Sequence, residues 1–101
     1  MFEYTAEQIA KWKEKHGENN VFEVTLEDKK CVLHKPTRRD ISYAMAASSG
    51  GKDGVKMQEA LLNGCWIDGD PEFKTNDDFF FAVSAQIEGM IEVKQAELKK
   101  L

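Results

Sequence analysis

The chain has 101 residues, 42% of them hydrophobic, which is enough for a single domain over residues 1–101 with one apolar core. Its net charge of −4 disfavours a general nucleic-acid binder, because such a protein needs a basic surface to displace counterions from phosphates. No apolar run approaches the ~20 residues of a membrane span, and no signal-peptide pattern is visible at the start. The two cysteines favour reduced thiols in a cytoplasmic protein, with one disulfide left as an alternative.

The first predicted element is a helix that begins after Thr5. Gln8 follows Thr5 by three residues, which is the spacing of a capping box. Ile9 and Trp12 then form a short apolar stripe, and Gly17 is predicted to end the helix.

A β-hairpin is predicted next, from Val21–Leu26 and Lys30–His34, because apolar residues alternate with mostly polar ones in the first segment. A turn centred on Asp28 and Lys29 would place Leu26 opposite Cys31 on one face. Two strands alone are marginal in water. A third strand is therefore expected from Phe2–Tyr4, from Trp66–Ile67 or from a second subunit.

Two further helices are predicted in the middle of the chain. Thr37 has the position of a cap that Asp40 can answer, and Asp53 is predicted to cap the next helix. Asn63–Gly64 is expected to end that second helix. Together these patterns predict an α+β fold, with a short antiparallel β-hairpin packed with about four α-helices, the last of them long.

The last predicted helix runs from about Asp77 to Lys100. Its core-facing stripe is Phe80, Val83, Ile87, Ile91 and Leu98. Small residues, including Ala85 and Gly89, form a second seam on the opposite side, which is either a surface that another helix can approach closely or a neutral surface that favours the helix. Phe81 lies outside both, so it is predicted to face a groove or a partner.

Catalytic and metal sites are not predicted. The acidic tract Asp68–Glu72 begins like a calcium loop but lacks the required Gly and Glu later, so it is interpreted as a turn. Neither His16 nor His34 has the spacing of a metal ligand. The basic cluster Lys35, Arg38 and Arg39 is either a contact for an acidic partner or a solvated helix end.

The order of elements resembles the small tail assembly chaperones of tailed phages and prophages. The residues that carry the resemblance are the hairpin Phe22 to His34, the basic junction Lys35–Asp40, and helices through Leu61–Leu62 and from Phe79 to Leu98. The resemblance implies binding to the apolar helices of a tape-measure protein before the tail assembles. It implies no catalytic residues.

The sequence therefore predicts a non-catalytic protein-binding module without a cofactor. The candidate partner-binding residues are Trp66, Phe73, Phe79, Phe81, Ala85, Gly89 and Val93. One alternative is a structural protein that dimerises through the last helix or through the hairpin edge. A second alternative is a nucleic-acid-binding regulator that uses the basic cluster, which the net acidity disfavours.

Overall fold

The computed structural model describes residues 2–91 and 95–101. Within these ranges the chain forms five helices and one three-stranded antiparallel sheet, which confirms the predicted α+β class. The elements in chain order are α1 (Ala6–His16), β1 (Val21–Leu26), β2 (Lys29–His34), α2 (Arg38–Ala47), α3 (Gly54–Cys65), β3 (Trp66–Gly69), α4 (Glu72–Thr75) and α5 (Asp77–Met90).

Side-chain caps begin four of the helices, three of them at the predicted residues Thr5, Thr37 and Asp53. Each capping side chain accepts a backbone N–H from one of the next three residues, which satisfies a donor that has no partner within the helix. The caps are Thr5, Thr37, Asp53 and Asn76. At Thr5 and Thr37, the side chain of the residue three positions later also accepts a hydrogen bond from the backbone N–H of the cap residue. Both capping boxes are therefore complete.

The hairpin has the predicted faces but a different register. The turn consists of Glu27 and Asp28, so Val24 pairs with Cys31 and Leu26 pairs with Lys29. The predicted pairing of Leu26 with Cys31 is therefore wrong by two residues. A shift of two residues keeps every side chain on its face, because the side-chain period of a strand is two. Glu27 takes a φ of 56°, which allows the tighter turn.

Strand β3 adds to the other side of β2, in the order β1-β2-β3, and confirms Trp66–Ile67 as the source of the third strand. Helix α3 continues directly into β3, so the predicted end at Asn63–Gly64 is too early. Gly69 lies so close to β2 that an added Cβ would be 2.4 Å from the Cβ of Cys31. The neighbouring Asp70 accepts hydrogen bonds from the backbone N–H groups of Phe2 and Lys30, at 3.0 and 2.9 Å.

The core lies between one face of the sheet and helices α2, α3, α4 and α5. Its largest fully buried side chains include Phe73, Leu33, Leu62, Ile87 and Val83. The outer face of the sheet is covered by α1, where Ile9 and Trp12 lie beside Val32. Phe73 belongs to α4, a short helix that begins at Glu72, the last residue of the predicted turn, while Asp68 and Gly69 of that predicted turn belong to β3.

Helix α5 is the longest element but is shorter than predicted. It ends at Met90, Ile91 is extended, and residues 95–101 carry no helix, so the predicted end at Lys100 is wrong. Phe80, Val83 and Ile87 are buried as expected, whereas Leu98 is fully exposed. Helix stability depends mostly on tertiary packing of the apolar stripe, and at Leu98 there is no packing surface. No helix in residues 2–91 and 95–101 combines the length and apolarity needed to cross a membrane.

Candidate functional site

Two of the predicted partner-binding residues lie in or against the core. Phe73 has no exposed surface, and its ring contacts that of Phe79 edge to face, with the centroids 5.3 Å apart. Phe79 is half-buried against the core. The side chain of Phe73 therefore cannot line a surface, and its proposed role in partner binding is withdrawn.

Trp66 lies away from the exposed side of α5. It lies on β3, where it pairs with Leu33 of β2 and is half-buried against the core. The Lys74 ammonium lies over its ring, 4.5 Å from the centroid. This cation–π contact holds the indole against α4.

Phe81, Ala85 and Gly89 lie on the solvent side of α5. Phe81 is 52% exposed, and Ala85 and Gly89 are exposed one and two turns later. Among the described residues, nothing lies within 4 Å of a Cβ added at Gly89, so this side of the helix is open. Val93 falls outside the described residues.

A groove runs between α3 and α5, beside Phe81. The start of α5 and the end of α3 line one depression of about 460 Å³, which contains Asp77 and Asn63. The end of α5 and the start of α3 line a second depression of about 780 Å³, which contains Ile91 and Gly54. Val55, near the start of α3, borders both depressions. We call this the α3–α5 groove; its apolar lining is Val55, Met57, Leu61, Leu62, Phe80, Phe81 and Ile91.

Charged side chains of both signs surround the groove. They are Lys52, Asp53, Glu59, Lys74, Asp77 and Glu88. Four of them are acidic and two are basic, so the net charge around the groove is −2 and disfavours an acidic ligand. The carbon surface between them can bind another apolar surface, which loses contact with water on docking.

The basic cluster lies at the junction between β2 and α2. Arg38 and Arg39 are exposed in the first turn of α2. Lys35 is half-buried, and its backbone N–H donates to the carbonyl of Asn20 at 2.8 Å. The fold thus brings the three residues to one junction, but Lys35 is partly a structural residue.

A second group of side chains meets where β2, α2 and α3 come together. Ligand-type atoms of His34, Asp40 and Cys65 all lie within 4.8 Å of one another, and we call these residues the His–Asp–Cys cluster. His34 Nε2 is 2.7 Å from the carbonyl oxygen of Gly64, and Nδ1 is 3.0 Å from that of Lys35. The Nδ1 atom also lies 4.0 Å from Asp40 Oδ2.

The sequence did not predict this cluster, because its members come from three separate elements. The position of Asp40 in a capping box and of His34 at a strand end was visible, but their approach to Cys65 depends on the packing of α3 against α2. His16 of α1 stacks on His34, with the ring centroids 4.5 Å apart. The two histidines are thus neighbours, although they are 18 positions apart in the sequence.

Burial changes the protonation of groups in this region. It lowers the pKa of His16, and the neighbouring His34 lowers it further. Burial raises the pKa of the Cys65 thiol from 9.0 to about 12, with a further contribution from the Asp40 charge. Cys65 is therefore a protonated thiol and a poor nucleophile at neutral pH.

Comparison with protein families, with curated proteins and with solved structures found no match to this chain.

Proposed function

We propose that this chain is a non-catalytic protein-binding module whose α3–α5 groove holds an amphipathic helix of a partner protein. The observation that carries the proposal is apolar exposure on both walls of the groove. Phe81 and Ile91 of α5 are 52% and 42% exposed, and Val55 of α3 is 47% exposed. Apolar surface that is continuous along a groove favours association, because docking removes it from water.

The shape of the groove suits a helix. Helix α5 has 14 residues, which correspond to about 21 Å at ~1.5 Å per residue. Two neighbouring helices form walls between which a third can lie, with apolar anchors at every third or fourth residue. Covering the exposed half of the Phe81 ring would contribute about 2 kcal/mol, before the entropy cost of association.

The order of elements supports a more specific version of the proposal. The β1–β2 hairpin leads through Lys35–Thr37 into α2, and helices follow. Apart from the strand β3 and the earlier end of α5 at Met90, this is the order on which the resemblance to phage tail assembly chaperones rests. The client would then be an apolar helix of a tape-measure protein, held in the α3–α5 groove until assembly.

A synthetic amphipathic helix, with leucine at the a and d positions and a fluorescein label, tests the binding mode. Its fluorescence anisotropy should rise on titration with the purified chain. Phe81→Ser should weaken binding about tenfold, because it removes the largest exposed apolar group of the groove. Tyr43→Ser is the matched control, since Tyr43 is 68% exposed but lines a different depression. Equal loss in both variants, or no binding to the wild type, would contradict the proposal.

Self-association is a second candidate. Strand β1 lies at one edge of the sheet, and its Phe22 is 39% exposed. An edge strand with an exposed aromatic side chain can pair with a second copy. Light scattering would show a dimer, and Phe22→Ser should dissociate an edge-paired dimer, whereas Phe81→Ser should dissociate one formed through the groove. A monomer at all concentrations would rule out this candidate.

A further inference from the structure

The ring of His34 is held between oxygen atoms on both sides. A neutral imidazole carries only one N–H, so it can donate to only one of two acceptors. The short contact from Nε2 to the Gly64 carbonyl, 2.7 Å, assigns that proton to Nε2. The lone pair of Nδ1 then faces the Lys35 carbonyl at 3.0 Å and the Asp40 carboxylate at 4.0 Å. Nδ1 therefore faces two oxygen atoms, and a cation between them would be stabilised by all three.

We propose that the cation is Zn²⁺, bound by His34 Nδ1, a carboxylate oxygen of Asp40 and Cys65 Sγ. Zinc binds imidazole nitrogen, carboxylate oxygen and thiolate at about 2.0 to 2.3 Å, so its tetrahedral ligands lie roughly 3.3 to 3.8 Å apart. The three ligand atoms already lie within 4.8 Å of one another, and small side-chain shifts would bring them to that spacing. Magnesium and calcium prefer oxygen alone, whereas a set that contains nitrogen and sulfur favours zinc and neighbouring transition metals.

The surroundings of the cluster match those of a bound metal. A metal-bound histidine usually donates its second ring N–H to a carbonyl or a carboxylate, as Nε2 does here to Gly64. Asp40 Oδ2 accepts from the backbone N–H and the hydroxyl of Thr37, at 3.0 and 2.9 Å, which fixes the direction of the carboxylate. Gly64 also makes room for Asp40, because a Cβ there would lie 3.2 Å from Oδ1.

Zinc binding would join three elements that are distant in sequence. The ligands come from the end of β2, the first turn of α2 and the end of α3. On binding, the Cys65 thiol loses its proton to solvent and a zinc–thiolate bond forms. His34 and Asp40 are partly exposed, so water can reach the fourth position of the ion. The site is thus a clamp that stabilises the folded chain, independently of the α3–α5 groove.

Titration of the purified full chain with Co²⁺ tests the site, because cobalt takes the same geometry and is coloured. We expect one cobalt ion per chain, a thiolate-to-cobalt charge-transfer band and tetrahedral d–d bands, all lost when Zn²⁺ is added. Cys65→Ser should abolish the charge-transfer band and weaken zinc binding at least tenfold. Cys31→Ser is the matched control, since Cys31 is equally buried but lies outside the cluster, and it should leave both unchanged.

Asp40→Asn provides a second variant if circular dichroism shows that Cys65→Ser is unfolded. It keeps an oxygen acceptor for the Thr37 cap but removes the charge, so zinc affinity should fall about tenfold with the helices intact. The absence of a charge-transfer band at saturating Co²⁺ would overturn the proposal, and so would equal zinc affinity in wild type and Cys65→Ser. Neither result bears on peptide binding by the groove.

Discussion

Helices α1 and α3 differ by one residue in length, but they are stabilised in different ways. Helix α1 buries none of its 11 side chains, whereas α3 buries Ala60, Leu61, Leu62 and Cys65. Helix α1 is held by its capping box and by ring contacts, such as Trp12 with Tyr4 at 5.4 Å between centroids. Local interactions can therefore specify a helix on the surface of this fold, while a helix in the core depends on its neighbours.

The same contrast extends to the segments next to each helix. Ahead of α1, the Tyr4 hydroxyl donates to Glu23 of β1 in an exposed hydrogen bond. After α3, the chain enters β3 without a loop, and Gly69 packs against the backbone of Cys31. Changes on the α3–β3 side should therefore affect global stability, and changes on the α1 side should have smaller effects.

The largest effect is expected for Gly69→Ala. The new Cβ would lie 2.4 and 2.5 Å from the Cβ and Cα of Cys31, and Gly69 has a φ of 155°. Since backbone cannot move aside cheaply, we expect a loss of about 3 kcal/mol or more in the free energy of unfolding. Gly50→Ala is the control. The φ of Gly50 is 75°, but apart from its chain neighbours no described atom lies within 4 Å of an added Cβ. We therefore expect the free energy of unfolding to fall by only about 1 kcal/mol. Similar urea midpoints for the two variants would contradict the close approach of β3 to β2.

The second largest difference is expected between truncations of apolar side chains in α3 and in α1. Leu62→Ala removes a side chain that is 2% exposed, and we expect a loss of about 2 to 5 kcal/mol. Ile9→Ala in α1 removes a half-buried side chain, and alanine favours the helix, so the loss should be below about 1.5 kcal/mol. Urea denaturation measures both. An equal loss would show that α1 belongs to the cooperative core.

Removal of the cap of α1 should have a smaller and more local effect. Thr5→Ala deletes the hydroxyl that accepts from the Gln8 N–H, which should cost about 1 kcal/mol. Amide hydrogen exchange should become faster in the first turn of α1, while the amides of α3 stay protected. Thr5→Ser keeps the acceptor and should exchange like the wild type. Faster exchange throughout α3 would mean that α1 is not an independent unit.

Alkaline pH should also lower the stability of the folded chain, through groups on both sides of the comparison. Hydrogen bonding to Glu23 and burial raise the pKa of Tyr4 from 10.0 to about 12, and burial raises that of the Cys31 thiol from 9.0 to about 12. In the unfolded chain both groups ionise near their ordinary pKa values, so above about pH 9 the unfolded state binds fewer protons than the folded state. Stability should therefore fall as pH rises from about 9 towards 12.

Urea midpoints measured between pH 8 and pH 11 would test this slope. Tyr4→Phe removes the ionisable hydroxyl next to α1, so its stability should fall less steeply with pH than that of the wild type. The decline that remains then reports on the buried thiols. An unchanged slope in Tyr4→Phe would show that the Tyr4–Glu23 hydrogen bond does not influence stability.

The features that could be predicted from the sequence are local. The caps at Thr5, Thr37 and Asp53 were identified because each side chain bonds to a backbone N–H three residues away. The α+β class followed from the hydrophobic periods, and Phe81 was recognised as a side chain that the stripe of its helix could not bury. Such interactions act over one helical turn or one strand, so residues that are close in the sequence determine them.

Features that depend on distant residues were decided by tertiary structure. Helix α5 ends at Met90 because its predicted stripe needs a packing surface, and Leu98 has none. Phe73 was predicted to contact a partner, but its side chain fills the core. The prediction was wrong because an apolar residue in the sequence does not indicate which surface will cover it. The His–Asp–Cys cluster joins residues from three elements, and no spacing along the chain encodes it. Periodicity and capping thus determined the elements, whereas the packing of α3 against α2 and the sheet decided which side chains meet.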